Sequence, residues 1–200
     1  MSVERFYPVV DDVSWVRRFA PLGARFIQLR IKDKPDDEVR AQIAEAQAVS
    51  RAHGCALVVN DYWQVAIDLK CDWVHLGQED LVDADVHAIR SAGLKIGIST
   101  HDEAELETAL NVEPDYVALG PIYPTILKKM KWDPQGLDRI GEWKRRVGAL
   151  PLVAIGGITL ERAPGVYGAG ANSIAVVTDL IAASDPEGRL QAWLEADFLV

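Results

Sequence analysis

The chain has 200 residues, enough for one large domain with a well-buried core. Thirty acidic residues against 21 basic ones leave a net charge of −9, which argues against nucleic acid as a partner. The apolar runs are far too short to span a membrane, and Met1-Ser2-Val3-Glu4-Arg5 leads into Phe6-Tyr7-Pro8 without the apolar core of a signal peptide. The expected setting is therefore the cytoplasm, with no membrane partner.

Net negative charge does not exclude an anionic substrate. Salt screens exposed charge beyond about 8 Å, so the local field in a cleft decides. The cations are unevenly placed: Arg30 and Lys32 share one segment, and Lys128, Lys129 and Lys131 another. Cys55 and Cys71 have no metal-ligand spacing and are expected to be buried free thiols of a reducing compartment.

In chain order, near-continuous apolar runs predict strands at Phe6–Val10, Phe26–Arg30, Ala56–Asn60, Trp73–Gly77, Lys95–Ser99, Tyr116–Gly120, Pro151–Gly156 and Ser173–Thr178. Such runs fit strands covered on both faces. Between them, helical spacing predicts helices at Val13–Ala20, Asp36–His53, Tyr62–Leu69, Asp83–Ala92, His101–Asn111, Leu137–Arg146, Leu160–Gly168 and Asp185–Ala196. The alternation predicts an α/β protein, a single-domain (β/α)8 TIM barrel over residues 1–200, rather than an open doubly wound sheet with fewer strands.

The loops after the strands build the active site of such a barrel. Asp61 follows the third strand directly and Asp80 follows the fourth. Neighbouring strands lie about 4.8 Å apart, so the two carboxylates are placed to share a divalent cation, although each could instead cap the helix after it. Gln28, Arg30 and Lys32 alternate, so they leave the chain on one side as a polar, cationic stripe. That stripe calls for an anion, or else for a structural ion pair with Asp33, Asp36 or Asp61. Gly156-Gly157 and Val177-Thr178 end the seventh and eighth strands, where this fold repeatedly binds phosphate. The longest interval between strands, Gly120 to Pro151, carries Thr125 and Lys128; loops this long are usually functional, with a solvated basic turn as the alternative, and whether this one closes over substrate is not legible. His75 is expected to be a satisfied core histidine, Glu79 to face solvent, and His53 and His87 to sit on exposed helix surface. His101 is expected to cap or pack, with an acid–base role as the alternative.

Gln28-Leu29-Arg30-Ile31-Lys32, Val59-Asn60-Asp61, Val74-His75-Leu76-Gly77-Gln78-Glu79-Asp80, Gly97-Ile98-Ser99-Thr100-His101, Tyr116–Thr125, Val153–Ile158 and Ala175–Thr178 together resemble the thiamine phosphate synthase family. The matching segments follow the family's order over almost the whole chain. The resemblance implies a transferase joining hydroxymethylpyrimidine diphosphate to hydroxyethylthiazole phosphate, with Mg2+ as cofactor and these two small molecules as partners. It implies that Gln28, Arg30, Lys32 and Asn60 hold the diphosphate and that Asp61 and Asp80 ligate Mg2+. Ser99 and Lys128 would meet the diphosphate or the reacting groups, and Thr125, Gly157, Val177 and Thr178 the thiazole phosphate. The chain departs from the family's Pro-Thr-x-Thr-Lys pattern at Leu127, where threonine is usual, and in Lys129-Met130-Lys131-Trp132. Two rivals follow: a metal-free thiazole tautomerase on the same fold, which His101 keeps open, and a catalytically silent thiamine phosphate-binding protein, which Leu127 suggests. Oligomeric state is not legible.

Overall fold

A computed structural model describes residues 2–125 and 132–197, which leaves the basic segment around Leu127 and Lys128 outside the described residues. Eight parallel strands close on themselves in sequence order: β1 (Phe6–Val10), β2 (Phe26–Leu29), β3 (Ala56–Asn60), β4 (Trp73–Leu76), β5 (Lys95–Thr100), β6 (Tyr116–Leu119), β7 (Leu152–Ile155) and β8 (Ser173–Val176). Phe6, Tyr7 and Pro8 pair with Ile174, Ala175 and Val176, joining β1 to β8 and closing the barrel.

Strand alternation sorts side chains into two cores. Outward residues such as Leu29, Val59, Val74, Ile98, Leu119 and Ala154 pack under the helical ring. Inward residues Tyr7, Val9, Phe26, Val58, Trp73, Tyr116, Ala118 and Val153 fill the interior. Aromatic rings plug the end where the strands begin: Tyr7 meets Phe26 at 5.0 Å between centroids, Phe26 meets Trp73 at 5.1 Å, and Trp73 meets Tyr116 at 5.8 Å. Gly97 makes room for this plug. A Cβ there would lie 2.0 Å from Cζ of Tyr116, far inside any allowed contact.

The helical ring holds α1 (Val13–Phe19), α2 (Asp36–Ala52), α3 (Trp63–Asp68), α4 (Gln78–Asp83), α5 (Val86–Ser91), α6 (Glu103–Asn111), α7 (Gly136–Val147), α8 (Ala163–Gly168), α9 (Thr178–Ile181) and α10 (Pro186–Glu195). Two expected helices are divided. The region expected as one helix over 83–92 breaks at Ala84-Asp85, because the Asp85 carboxylate caps the Ala88 amide and starts a new helix. The stretch over 160–168 begins as a 3₁₀ turn, Leu160–Arg162. Cys55 and Cys71 are free and buried, and burial pushes their thiols up to about 12 and about 11. Neither is a nucleophile at neutral pH. Among the described residues no helix is long and apolar enough to cross a membrane.

Candidate active site

At the carboxyl ends of the strands the interior changes from aromatic to polar. Gln28 and Asn60 are almost wholly buried, and Gln28 Nε2 donates to Asn60 Oδ1 at 3.0 Å. Each amide thereby satisfies part of its hydrogen-bonding capacity while facing the mouth of the barrel.

Asp61 comes next and adopts φ +67°, a left-handed conformation that costs a side-chain-bearing residue roughly 1–2 kcal/mol. Its amide donates to the His75 carbonyl at 2.9 Å, pinning the β3 exit to β4. The Asp61 carboxylate ion-pairs with Lys32, so the structural pairing weighed for that lysine is present. Asp80, in the first turn of α4, comes within hydrogen-bonding reach of the same carboxylate. Burial, followed by the charge of Asp61, raises the Asp80 pKa above the usual carboxylate range, and Lys32 offsets only part of this. Two acids and one ammonium form a nook short of positive charge. Among the described residues no group of three or more His, Cys, Asp or Glu side chains is gathered to hold a metal. A pair of carboxylates is nevertheless the donor set a hard divalent cation uses when water and phosphate oxygens complete its shell. The residues present fit such an ion.

Arg30 is exposed at the end of β2 and forms no ion pair among the described residues. Its charge still reaches the interior, where it helps to disfavour protonation of His75. His75 is the satisfied core histidine expected of it: Nδ1 lies 2.8 Å from the Tyr116 hydroxyl and Nε2 lies 2.8 Å from Ser99 Oγ. Burial is the chief reason its pKa falls to about 4, so the ring is neutral at pH 7. Sequence reasoning did not link His75 to Ser99, since the contact depends on two inward positions meeting across adjacent strands. Gln78 was likewise unassigned, and its Nε2 donates to the Ser99 carbonyl at 2.7 Å.

His101 takes the packing role. It pairs with Glu105 at 2.7 Å and stacks on Trp132 with ring centroids 5.4 Å apart. Glu79, His53 and His87 are exposed, as expected.

On the opposite side of the mouth, Gly156 and Gly157 both have positive φ, +98° and +64°. A Cβ on Gly156 would lie 2.6 Å from Pro121 Cβ, and one on Gly157 would lie 2.5 Å from the Pro124 carbonyl oxygen. Only glycine lets the segment carrying Thr125 come this close to the β7 turn. Arg162 fastens the two loops by donating to the Gly157 carbonyl and covering the Tyr123 ring at 4.5 Å. Val177 and Thr178 open α9 beside them. Lys128 falls among the residues left undescribed.

A closed parallel barrel with a polar, acid-and-cation-lined mouth defines a (β/α)8 barrel whose candidate site suits phosphorylated small molecules. The comparisons narrow that class. A family model described as thiamine monophosphate synthase matches residues 6–180. A thiamine-phosphate synthase of Rhizobium etli is 59% identical over 196 residues, covering 98% of this chain and 96% of that protein. One of Cronobacter sakazakii is 51% identical over 189 residues, covering 94% and 90%. The solved thiamine phosphate pyrophosphorylase of Pyrococcus furiosus matches with a TM-score of 0.83 at 27% identity, over 96% of this chain and 94% of that one. The chain belongs to the thiamine monophosphate synthase family.

Proposed function

We propose that the chain joins 4-amino-5-hydroxymethyl-2-methylpyrimidine diphosphate to hydroxyethylthiazole phosphate, giving thiamine phosphate and diphosphate. The relatives named thiamine-phosphate synthase support this transferase activity. In this reading residues 1–200 act as one catalytic domain on two small-molecule substrates. The observation that carries the chemistry is the meeting of Asp61 and Asp80 beside Lys32, with Arg30, Gln28 and Asn60 on the neighbouring strand ends.

Gln28, Arg30, Lys32 and Asn60 bind the diphosphate oxygens. Asp61 and Asp80 hold Mg2+, which when bound neutralises charge on the diphosphate. Thr125, Gly157, Val177 and Thr178 hold the thiazole phosphate. Ser99, kept in place by His75, and Lys128 meet the diphosphate or the reacting groups. The pyrimidine CH2–O bond breaks largely before the C–N bond forms, because the amino-substituted ring delocalises the cation. Arg30 and Lys32 stabilise the departing anion, and the barrel mouth keeps the thiazole nitrogen in line with the carbon it attacks. No protein nucleophile takes part.

Incubating purified protein with both precursors and Mg2+, and following thiamine phosphate by chromatography, tests the proposal. Product is expected, and its loss in EDTA. Binding of thiamine phosphate without its synthesis would instead establish a silent binding protein, and undiminished turnover in EDTA would contradict the metal assignment.

A further inference from the structure

On the far side of the barrel mouth from the acidic nook, a knot of polar contacts centres on Asp179, directly after Thr178. Its side chain is only 12% exposed. Oδ2 accepts from Arg189 Nε at 2.9 Å, from Trp193 Nε1 at 2.8 Å and from the Leu160 amide at 3.3 Å. Oδ1 accepts from Arg189 Nη2 at 3.0 Å. The same Nη2 reaches both carboxylate oxygens of Glu161, at 2.9 and 3.0 Å. Trp193 is buried and stacks on Phe6 of β1 at 4.7 Å, so the knot is tied to the barrel wall.

We infer that Asp179 is a positioning residue for the thiazole phosphate: it locks the turn after β7 to the turn after β8, so that Gly157 and Thr178 keep a fixed separation. This rests on the functional reading above. Leu160 lies three residues beyond Gly157, and Asp179 is covalently next to Thr178. One carboxylate therefore links the two loops assigned to a single phosphate group, and α10 braces both through Arg189 and Trp193. A carboxylate next to an anion site would repel the ligand if left bare. The two-point pairing with Arg189 answers that problem, since a guanidinium matches a carboxylate in both charge and shape. No hydrogen bond from Asp179 to the substrate is needed, and the residue is not catalytic.

The test is calorimetric titration of hydroxyethylthiazole phosphate into the parent, Asp179→Asn, Arg189→Gln and Arg189→Lys, with the Michaelis constant for the pyrimidine diphosphate and the thermal midpoint measured alongside. Asp179→Asn keeps the volume but loses the two-point pairing, and its Kd for the thiazole phosphate is expected to rise about tenfold. Arg189→Gln leaves the carboxylate unpaired and should weaken binding further, while Arg189→Lys recovers part of the loss. The pyrimidine diphosphate constant should stay within about twofold of the parent's, because that site lies across the mouth. Unchanged thiazole phosphate affinity in folded Asp179→Asn and Arg189→Gln would overturn the positioning role. So would equal weakening for both substrates, the mark of a general structural role. If Asp179→Asn does not fold, the two Arg189 variants decide the matter alone. A parent that binds no thiazole phosphate contradicts the functional reading itself, and this inference falls with it.

Discussion

The carboxyl groups of Asp61, just after β3, and Asp80, in the first turn of α4, meet at the mouth of the barrel with Lys32 as the cation paired to Asp61. Burial and the charge of Asp61 make Asp80 harder to ionise, an arrangement with no merit for folding and one that suits a divalent cation.

Asp80→Asn removes one of the two acids and relieves this repulsion. The variant is expected to lose at least about 100-fold in turnover at saturating substrates and Mg2+, as expected when a developing anion loses its main electrostatic partner. Its thermal midpoint in EDTA should equal or exceed the parent's. Parent-like turnover would remove Asp80 from the site.

Arg30→Met acts on a side chain with no ion pair to lose among the described residues, so the fold should tolerate it. Diphosphate, tested as an inhibitor, should bind about tenfold or more weakly, in line with roughly 1.5–3 kcal/mol for a hydrogen bond to a charged group. An unchanged inhibition constant would mean that Arg30 does not touch diphosphate.

His75 gives stability a pH dependence whose sign can be worked out. The unfolded imidazole takes up a proton near pH 6.5, and the folded one only near about 4. Between these values the unfolded chain binds more protons, so His75 costs no stability above pH 6.5 and progressively more as pH falls toward 4, reaching about 3 kcal/mol. Comparing parent with His75→Gln by denaturant unfolding from pH 7 to 4 isolates this contribution. The parent should lose more stability over that window, and parallel curves would refute the assignment.

Gly97→Ala and Gly93→Ala separate steric overlap from backbone strain. At Gly97 the new methyl meets the Tyr116 ring at 2.0 Å, so a loss of roughly 3 kcal/mol or more is expected, at the upper end of overpacking costs. Gly93 has φ +84° but open space around it, and alanine there should cost only about 1–2 kcal/mol. Similar midpoints for the two variants would contradict the tight seating of Tyr116.

The barrel was legible because its strands are covered on both faces and read as unbroken apolar runs. Seven of the eight strands start where the sequence predicts; only Pro151 yields to Leu152. Strand ends were less legible: the expected strands run on to Arg30, Gly77, Gly120, Gly156 and Thr178, residues that form the loops of the mouth. The short helices at Gln78–Asp83 and Thr178–Ile181 escaped notice, since six and four residues hold too few apolar positions to reveal a period. The candidate site was visible as a set of positions on one face. The contacts within it were not, because the link from Ser99 through His75 to Tyr116 and the ties of Asp179 to α10 join residues far apart along the chain.

The most direct measurement of the central claim is calorimetric titration of Mg2+ into the protein with and without diphosphate, repeated on Asp80→Asn. If Asp61 and Asp80 form half of a cation site that the diphosphate completes, diphosphate will tighten Mg2+ binding to the parent, Mg2+ will tighten diphosphate binding by the same factor, and both effects will vanish in the variant. Equal Mg2+ affinity in parent and variant, or no coupling between the two ligands in the parent, would contradict it.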